Sequence, residues 1–339
     1  MSTPNPSKEA FERIQSAFKG LQTVQVVYLG LELGLFETLR AEAHTPETLA
    51  GAKGLHLPYL RVWMQTAVAF GILAYADEMY RLAPGMETVL LDTNHPRYVG
   101  GFARGFMTYL ADDFNLYPDA FRDGHVRGFG DHGEEFSEWV SRLTHPMQRL
   151  VVGKILPEHV GAALQTGIDI LDVGCGAGQF LFKLAAQYPN CRFTGIDGDP
   201  HGIVLARRAA ADQGLSDRIT FRHIYGQDMT YQDQFDLVVM FEVLHELPVS
   251  ARPGVMSAVY RALRPGGLLF ILDETWSEDP RLLNQPEYQM SVLVQFSELV
   301  WGNVVYTESE QTRLLNDAGF ETIERGDLGG TFTILTARK

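Results

Sequence analysis

The sequence predicts an α/β protein in which a mostly helical N-terminal part precedes a doubly wound sheet. Two observations carry that expectation. From Gly167 onward, short apolar runs alternate with helical patterns, as strands connected by crossover helices require. Before that point apolar residues recur at helical spacing, interrupted by a single pair of strand-like runs.

In chain order, Phe11, Ile14, Phe18, Leu21 and Val24 followed by VVYLGLELGLFETL predict two or three helices from about Ala10 to Arg40. Thr45-Pro46-Glu47-Thr48 supplies an N-cap, a proline at the first helical position and an acid in the first turn. The short helix it opens runs to about Ala52. Leu57-Pro58-Tyr59 opens another, with Leu60, Trp63, Met64, Ala67 and Phe70 on one side and Gly71 at its end. Ile72-Leu73-Ala74-Tyr75 and Met79-Tyr80-Arg81-Leu82, separated by Ala76-Asp77-Glu78, then predict a small hairpin. Helices followed by a hairpin make a winged helix. Its third helix offers only Arg61 and its hairpin only Arg81, where a surface that tracks phosphates needs several basic residues.

From about residue 96 to residue 159 the chain reads as helical and aromatic, with Phe102, Phe106, Met107, Tyr109, Phe114, Tyr117, Phe121, Phe136, Trp139 and Met147. Such stripes are mostly core, and part of this one is expected to line a pocket for a flat organic molecule. The loop GHVRGFGDHGEE, Gly124 to Glu135, reads as mobile and exposed. Five strands are then expected: Ile168 to Gly174, Cys191 to Asp197, Arg218 to Ile224, Phe235 to Phe241 and Gly267 to Glu274. A last helix, Ser309 to Ala318, leads to two closing segments, Phe320 to Arg325 and Thr331 to Ala337. The expected organisation is a helical and winged-helix domain over 1–95, a helical connector over 96–160 that contributes to the acceptor pocket, and a ligand-binding α/β domain over 161–339.

Composition narrows the partners. With 42 acidic against 28 basic side chains and a formal net charge of -14, phosphate backbones and anionic membranes are disfavoured. The polar start MSTPNPSKEAFER lacks the pattern of a signal peptide, and no apolar run approaches about 18 residues. A cytoplasmic location is expected. Cys175 and Cys191 are too few for a disulfide framework or a zinc knuckle and are expected to be reduced and structural.

The stretch IDILDVGCGAGQ, Ile168 to Gln179, is a buried strand that turns sharply through Gly174, Gly176 and Gly178 into the helix-forming FLFKLAAQY. Glycine is needed where backbone angles are strained or where the backbone lies against a ligand. A dinucleotide fingerprint, G-x-G-x-x-G, would place its last glycine at position 179, which is Gln179. Asp197 closes the second strand about twenty residues after the turn, where a carboxylate can accept both hydroxyls of a ribose. An adenosine without a pyrophosphate fits both facts.

Asp172-x-Gly174-x-Gly176-x-Gly178, then Asp197, then Gln227-Asp228-Met229, then LRPGG from Leu263 to Gly267 is similar to the ordered motif set of class I S-adenosylmethionine-dependent methyltransferases. That resemblance implies a Rossmann-like sheet. It also implies that Asp172, Gly174, Gly176 and Gly178 hold the methionine part, Asp197 the ribose, Asp228 the adenine amino group and Met229 the adenine face, with Phe241 of the fourth strand in the same site. With the winged-helix N-terminal part, and with Val243-Leu244-His245-Glu246 after the fourth strand, the chain resembles the small-molecule O-methyltransferases of plant caffeate and bacterial polyketide or phenazine type. The resemblance implies S-adenosyl-L-methionine as cofactor, a small-molecule acceptor and a homodimer formed through the N-terminal helices.

A phenol with a pKa of about 10 can lose its proton to a neutral imidazole as it attacks an activated methyl. His245 stands where the family's general base stands, but its triplet is His245-Glu246-Leu247 instead of His-Asp-Trp. The resemblance adds two flanking acids: Glu274 supplies one, Glu246 keeps a carboxylate beside the histidine, and Val304-Val305-Tyr306-Thr307 lacks the second where the family carries it. Met290, Phe296 and Trp301 are expected to close the acceptor pocket with Phe106, Met107, Trp139 and Met147. No metal is expected, because no second histidine appears between Tyr288 and Trp301, where Gln295 and Ser297 stand. Two other chemistries remain open: C-methylation of an enolisable 2-oxo acid or quinone, and S-adenosylmethionine binding without methyl transfer.

Overall fold

The computed structural model describes residues 5–95 and 97–339. The chain divides into two compact units, one reaching Asp112 and one from Asp113 to Lys339.

The first unit contains α1 (Pro6–Glu32), α2 (Leu35–Ala41), α3 (Pro46–Lys53), α4 (Leu57–Ala69), the hairpin β1 (Leu73–Ala76) and β2 (Met79–Leu82), α5 (Met86–Leu90) and α6 (Gly100–Gly105), which continues as a π-helical stretch over Phe106–Leu110. Local chemistry explains the boundaries. The Asn5 side chain accepts from the Ser7 and Lys8 amides to start α1, and Thr45 and Thr48 form a reciprocal capping box at the start of α3. The hairpin turn places both Asp77 and Glu78 at positive φ, 51° and 61°, as a tight two-residue turn between twisted strands requires. Leu35, Phe36, Leu39, Leu49, Leu60, Trp63 and Met64 form its core. By contrast, Phe11, Ile14, Phe18 and Leu21 of α1 are exposed.

The second unit begins in α7 (Ala111–Phe114) and continues through α8 (Tyr117–Asp123), α9 (Glu134–Leu143), α10 (His145–Leu150) and α11 (Leu156–Thr166). It then alternates β3 (Asp169–Val173), α12 (Gln179–Gln187), β4 (Arg192–Asp197), α13 (Pro200–Asp212), β5 (Ile219–His223), β6 (Phe235–Phe241), α14 (Arg252–Ala262) and β7 (Leu263–Asp273). After α15 (Gln289–Ser297) and α16 (Glu308–Ala318) come β8 (Thr322–Leu328) and β9 (Phe332–Arg338). The seven strands lie in the order β5-β4-β3-β6-β7-β9-β8. All neighbours from β5 to β7 are parallel, while β9 enters antiparallel between β7 and β8. Both faces are covered, so β6 reads as an apolar run from Leu237 to Phe241: Leu237, Val239 and Phe241 join one core cluster, Val238 and Met240 the other.

Two details differ from the sequence expectation. The fifth strand starts at Leu263, earlier than the expected Gly267, and so takes in LRPGG. Leu263 already pairs with Phe235, and a register shift absorbs the extra residues before Leu268 meets Leu237. The loop from Gly124 to Glu135 is tied down, because Arg127 and His132 both bond the fully buried Asp113 carboxylate, at 2.7 Å and 2.8 Å, and the Arg127 amide bonds the Val300 carbonyl. A buried carboxylate has to be paired, and Arg127 and His132 from that loop bond it together with Trp301 Nε1.

The strand order reverses between β3 and β6, so the carboxyl ends of β3, β4, β6 and β7 open onto one crevice. Among the described residues no helix is long and apolar enough to cross a membrane.

Candidate active site

The glycine turn after β3 shows what each glycine does. Gly174, Gly176 and Gly178 all have positive φ, at 78°, 50° and 79°. A Cβ on Gly174 would lie 2.1 Å from Val243, and one on Gly178 would lie 2.5 Å from the Phe221 ring; at Gly176 it would meet nothing within 4 Å. Two of the three glycines therefore admit protein neighbours, and Gly176 alone faces open space. Asp197 holds the turn in place. Its Oδ2 accepts from the Gly176 amide at 2.7 Å and its Oδ1 from the Asp199 amide at 2.7 Å, which leaves further lone pairs on both oxygens.

Two carboxyls under this turn are pushed towards neutrality. Asp172 is 1% exposed with no donor to its Oδ1, and burial, then the charge of Asp197, push its pKa up to about 8. Burial likewise raises Asp197 to about 6, against the two backbone donors that favour its charge. Asp228 is exposed at the end of a short 3-10 turn, Gly226–Asp228. The neighbouring side chains of Met229 and Phe241 are packed in the core, the latter with its ring 5.2 Å from Phe180.

The second half of the site surrounds His245, 3% exposed in the loop after β6. Asp273, the last residue of β7, accepts from the Leu244 and His245 amides through Oδ2 and from His245 Nδ1 through Oδ1 at 2.9 Å. A carboxylate carries no donor, so the ring proton sits on Nδ1 and Nε2 points the other way. Glu274 Oε2 stands 3.2 Å from Nδ1, and Glu298 Oε2 stands 3.5 Å from Nε2. Burial disfavours the imidazolium, but the charges of Asp273 and Glu274 and the bonds to Asp273 and Glu298 outweigh it and hold the His245 pKa well above its ordinary value. Burial raises the neighbouring Glu246 to about 8. His245 groups with Glu246 and Glu298, and again with Asp273 and Glu274, with the ligating atoms of each set within 4.8 Å of one another. Within these sets the ion pairs about the imidazole ring are those with Asp273, Glu274 and Glu298.

Glu298 overturns the expectation that the second flanking acid is missing. It comes not from the segment ahead of α16 but from the break between α15 and the short 3-10 turn Leu299–Trp301, where the Asn303 amide nitrogen donates to it at 2.8 Å. The fully buried Arg252 joins the two loops. It donates to the carbonyls of His245, Leu247 and Val304 and lies 4.0 Å from the Tyr306 ring, while the Val304 amide bonds the His245 carbonyl at 2.9 Å. Sequence spacing gave no signal for either Glu298 or Arg252.

Of the residues expected to form the acceptor pocket, Trp139 and Trp301 both pack on the Phe136 ring. Phe106 and Met107 fall in the first unit, on the π-helical stretch. In the second unit Phe296 is exposed beside Phe114 and Tyr117, and Trp139 is half-buried against Phe136. Met147 packs on the sheet core, Met290 is half-buried on α15, and Trp301 is 7% exposed with its Nε1 donating to Asp113 at 2.7 Å.

Residues 170–267 match the family described as methyltransferase domain. The chain is 28% identical to a 3-hydroxy-5-methyl-1-naphthoate 3-O-methyltransferase of Streptomyces sahachiroi over 88% of this chain and 86% of that one. It is 25% identical to the acetylserotonin O-methyltransferase of Bos taurus over 98% of both. Among solved structures it matches a mitomycin 7-O-methyltransferase with a TM-score of 0.80 at 19% identity, covering 98% of both chains. It also matches human N-acetylserotonin methyltransferase in complex with S-adenosylmethionine, with a TM-score of 0.79 at 18% identity over 100% of this chain and 99% of that one. This chain is an S-adenosylmethionine-dependent methyltransferase, similar along its length to small-molecule O-methyltransferases.

The methyltransferase's own residues fit that cofactor. The open side of Gly176 admits a ligand against the backbone, and Asp172, whose Oδ1 is buried without a donor in the strand that leads into the turn, suits a ligand that carries positive charge. Because a cation favours the ionised carboxylate, S-adenosylmethionine affinity is expected to rise as pH increases through about 8. Asp172→Asn is expected to bind about tenfold more weakly and to lose that rise. Calorimetric titration across pH checks both, and an unchanged pH dependence in the variant would contradict the role of Asp172.

Proposed function

We propose that this enzyme methylates a hydroxyl oxygen of a hydroxylated aromatic or polyketide-like small molecule, with His245 as the general base. The observation that carries the reading is a buried imidazole at the carboxyl end of the sheet with Nδ1 fixed by Asp273 and Nε2 turned away from that anchor. The named activities of the naphthoate and acetylserotonin relatives, both O-methylations, support oxygen as the acceptor atom.

S-adenosylmethionine, when bound, supplies a methyl group already activated by its sulfonium. The remaining work falls to the protein. Gly176, Asp172 and Asp197 hold the cofactor, with Asp228 and Met229 at the adenine end. Asp273 orients the ring of His245, and Nε2 takes the acceptor's proton as the oxygen attacks. The acids around His245 raise its basicity towards that of a phenol, with a pKa of about 10, which lessens the uphill character of the transfer. They also leave the resting ring protonated, so Nε2 is available only after that proton is lost.

The exposed apolar stripe Phe11, Ile14, Phe18 and Leu21 along α1 supports the further proposal of a homodimer formed through this helix. Phe18→Glu is expected to halve the mass seen by light scattering coupled to size exclusion. A monomeric parent chain would refute the dimer.

For the base, activity should rise with pH through a limb well above 6.5, because the deprotonated ring is the active form. Glu298→Gln removes a charge that favours the imidazolium, so its limb should move to lower pH. His245→Ala should lower methyl transfer by about a hundredfold or more with cofactor affinity unchanged. Transfer of label from S-adenosylmethionine to a panel of phenolic acceptors reads all three. Parent-like activity in His245→Ala would remove the base assignment.

A further inference from the structure

Glu242 is the residue of this site that the mechanism leaves unused. It follows β6 directly, and its amide bonds the Leu272 carbonyl at 2.8 Å, which sets it level with Asp273 and Glu274 at the end of the adjacent β7. Its φ is +57°, a conformation that costs a non-glycine residue of order 1–3 kcal/mol and persists where surrounding structure enforces it. With every acid ionised, Glu242 Oε1 and both Glu274 oxygens are buried without a hydrogen-bond donor. A buried acceptor without a donor is costly, and two ionised carboxylates side by side are costlier. One proton between them resolves both.

We propose that Glu242 is a positioning residue that holds a proton in the working enzyme and donates it to Glu274, so that Glu274 Oε2 is kept facing His245 Nδ1. The groups facing the pair are Asp273 and His245, with Glu298 beyond the ring acting on Glu274. Burial and the charge of Glu274 push the Glu242 carboxyl well up, and burial raises Glu274 in turn, as a shared proton requires. The pair then presents one negative charge, not two, to the imidazole. Together with Asp273 it fixes the tautomer whose Nε2 faces away.

This inference rests on the general-base reading of His245, and its test separates the two. Glu242→Gln keeps a donor without a titrating proton, whereas Glu242→Ala removes the donor. The glutamine variant is expected to keep kcat within about threefold of the parent at neutral pH, and the alanine variant to lose kcat by about ten- to a hundredfold. KM for S-adenosylmethionine should stay unchanged in both. The infrared absorption of protonated carboxylic acids, measured on the folded parent enzyme at neutral pH, should lose the component of one carboxyl in Glu242→Gln, while those of Asp172 and Glu246 remain. This readout does not require the alanine variant to fold. An absorption unchanged in Glu242→Gln, or a glutamine variant as impaired as alanine, would overturn the shared proton. Parent activity in His245→Ala would instead overturn the base and leave the carboxyl pair standing on its infrared band.

Discussion

The ion pairing of one buried imidazole sets the character of this site. Asp273 and Glu274 face Nδ1 of His245, Glu298 faces Nε2, and Glu246 follows in sequence. Burying this many acids without a cation would be prohibitive, since removing one partner from a buried ion pair costs several kcal/mol. The imidazolium offsets that cost, and Asp273 is further satisfied by backbone amides of Leu244, His245 and Glu274. The loops bearing His245 and Glu298 are held in register by Arg252, whose guanidinium bonds three carbonyls from both of them. The geometry around His245 is therefore a consequence of charge balance.

The same logic divides the acids at the carboxyl ends of the strands into two sets. Asp172 and Asp197, under the glycine turn, are pushed towards neutrality and look to a cationic ligand for compensation. Around His245, Asp273 is compensated by the imidazole and by backbone amides, while burial pushes Glu246 to about 8 and Glu274 to about 7. Both sets lie at the carboxyl ends of the β-strands, where the reversal of strand order opens the crevice. An acid-rich crevice suits a cofactor with positive charge on sulfur and nitrogen, and it disfavours polyanionic acceptors.

Much of the fold was legible in the sequence because it depends on local rules. The alternation of apolar runs with helical periods gave the strands to within a residue or two for β3 to β6, and the caps at Thr45 and Gly178 sit where helices begin. What the local rules missed was long-range. That β9 enters between β7 and β8 is a matter of pairing, not of pattern. LRPGG carries turn residues yet belongs to a bulged strand, because Leu263 finds a partner in Phe235. In the site, the glycine turn and His245 announce themselves through spacing. Glu298 does not, because it reaches the ring from a helix break 53 residues downstream, counted from position 245 to position 298. Glu242 lies three residues before His245, but only its positive φ and its buried Oε1 without a donor distinguish it.

The central claim is that the surrounding acids keep His245 charged at rest and that its neutral form is the base. Nitrogen NMR of the enzyme labelled at its histidine ring nitrogens, titrated from acid to alkaline pH, tests it most directly, with His245→Ala used to assign the signal. The account predicts a charged ring for His245 at neutral pH that becomes neutral, with its proton on Nδ1, only well above pH 6.5. A ring already neutral at pH 7, or a neutral ring carrying its proton on Nε2, would contradict it.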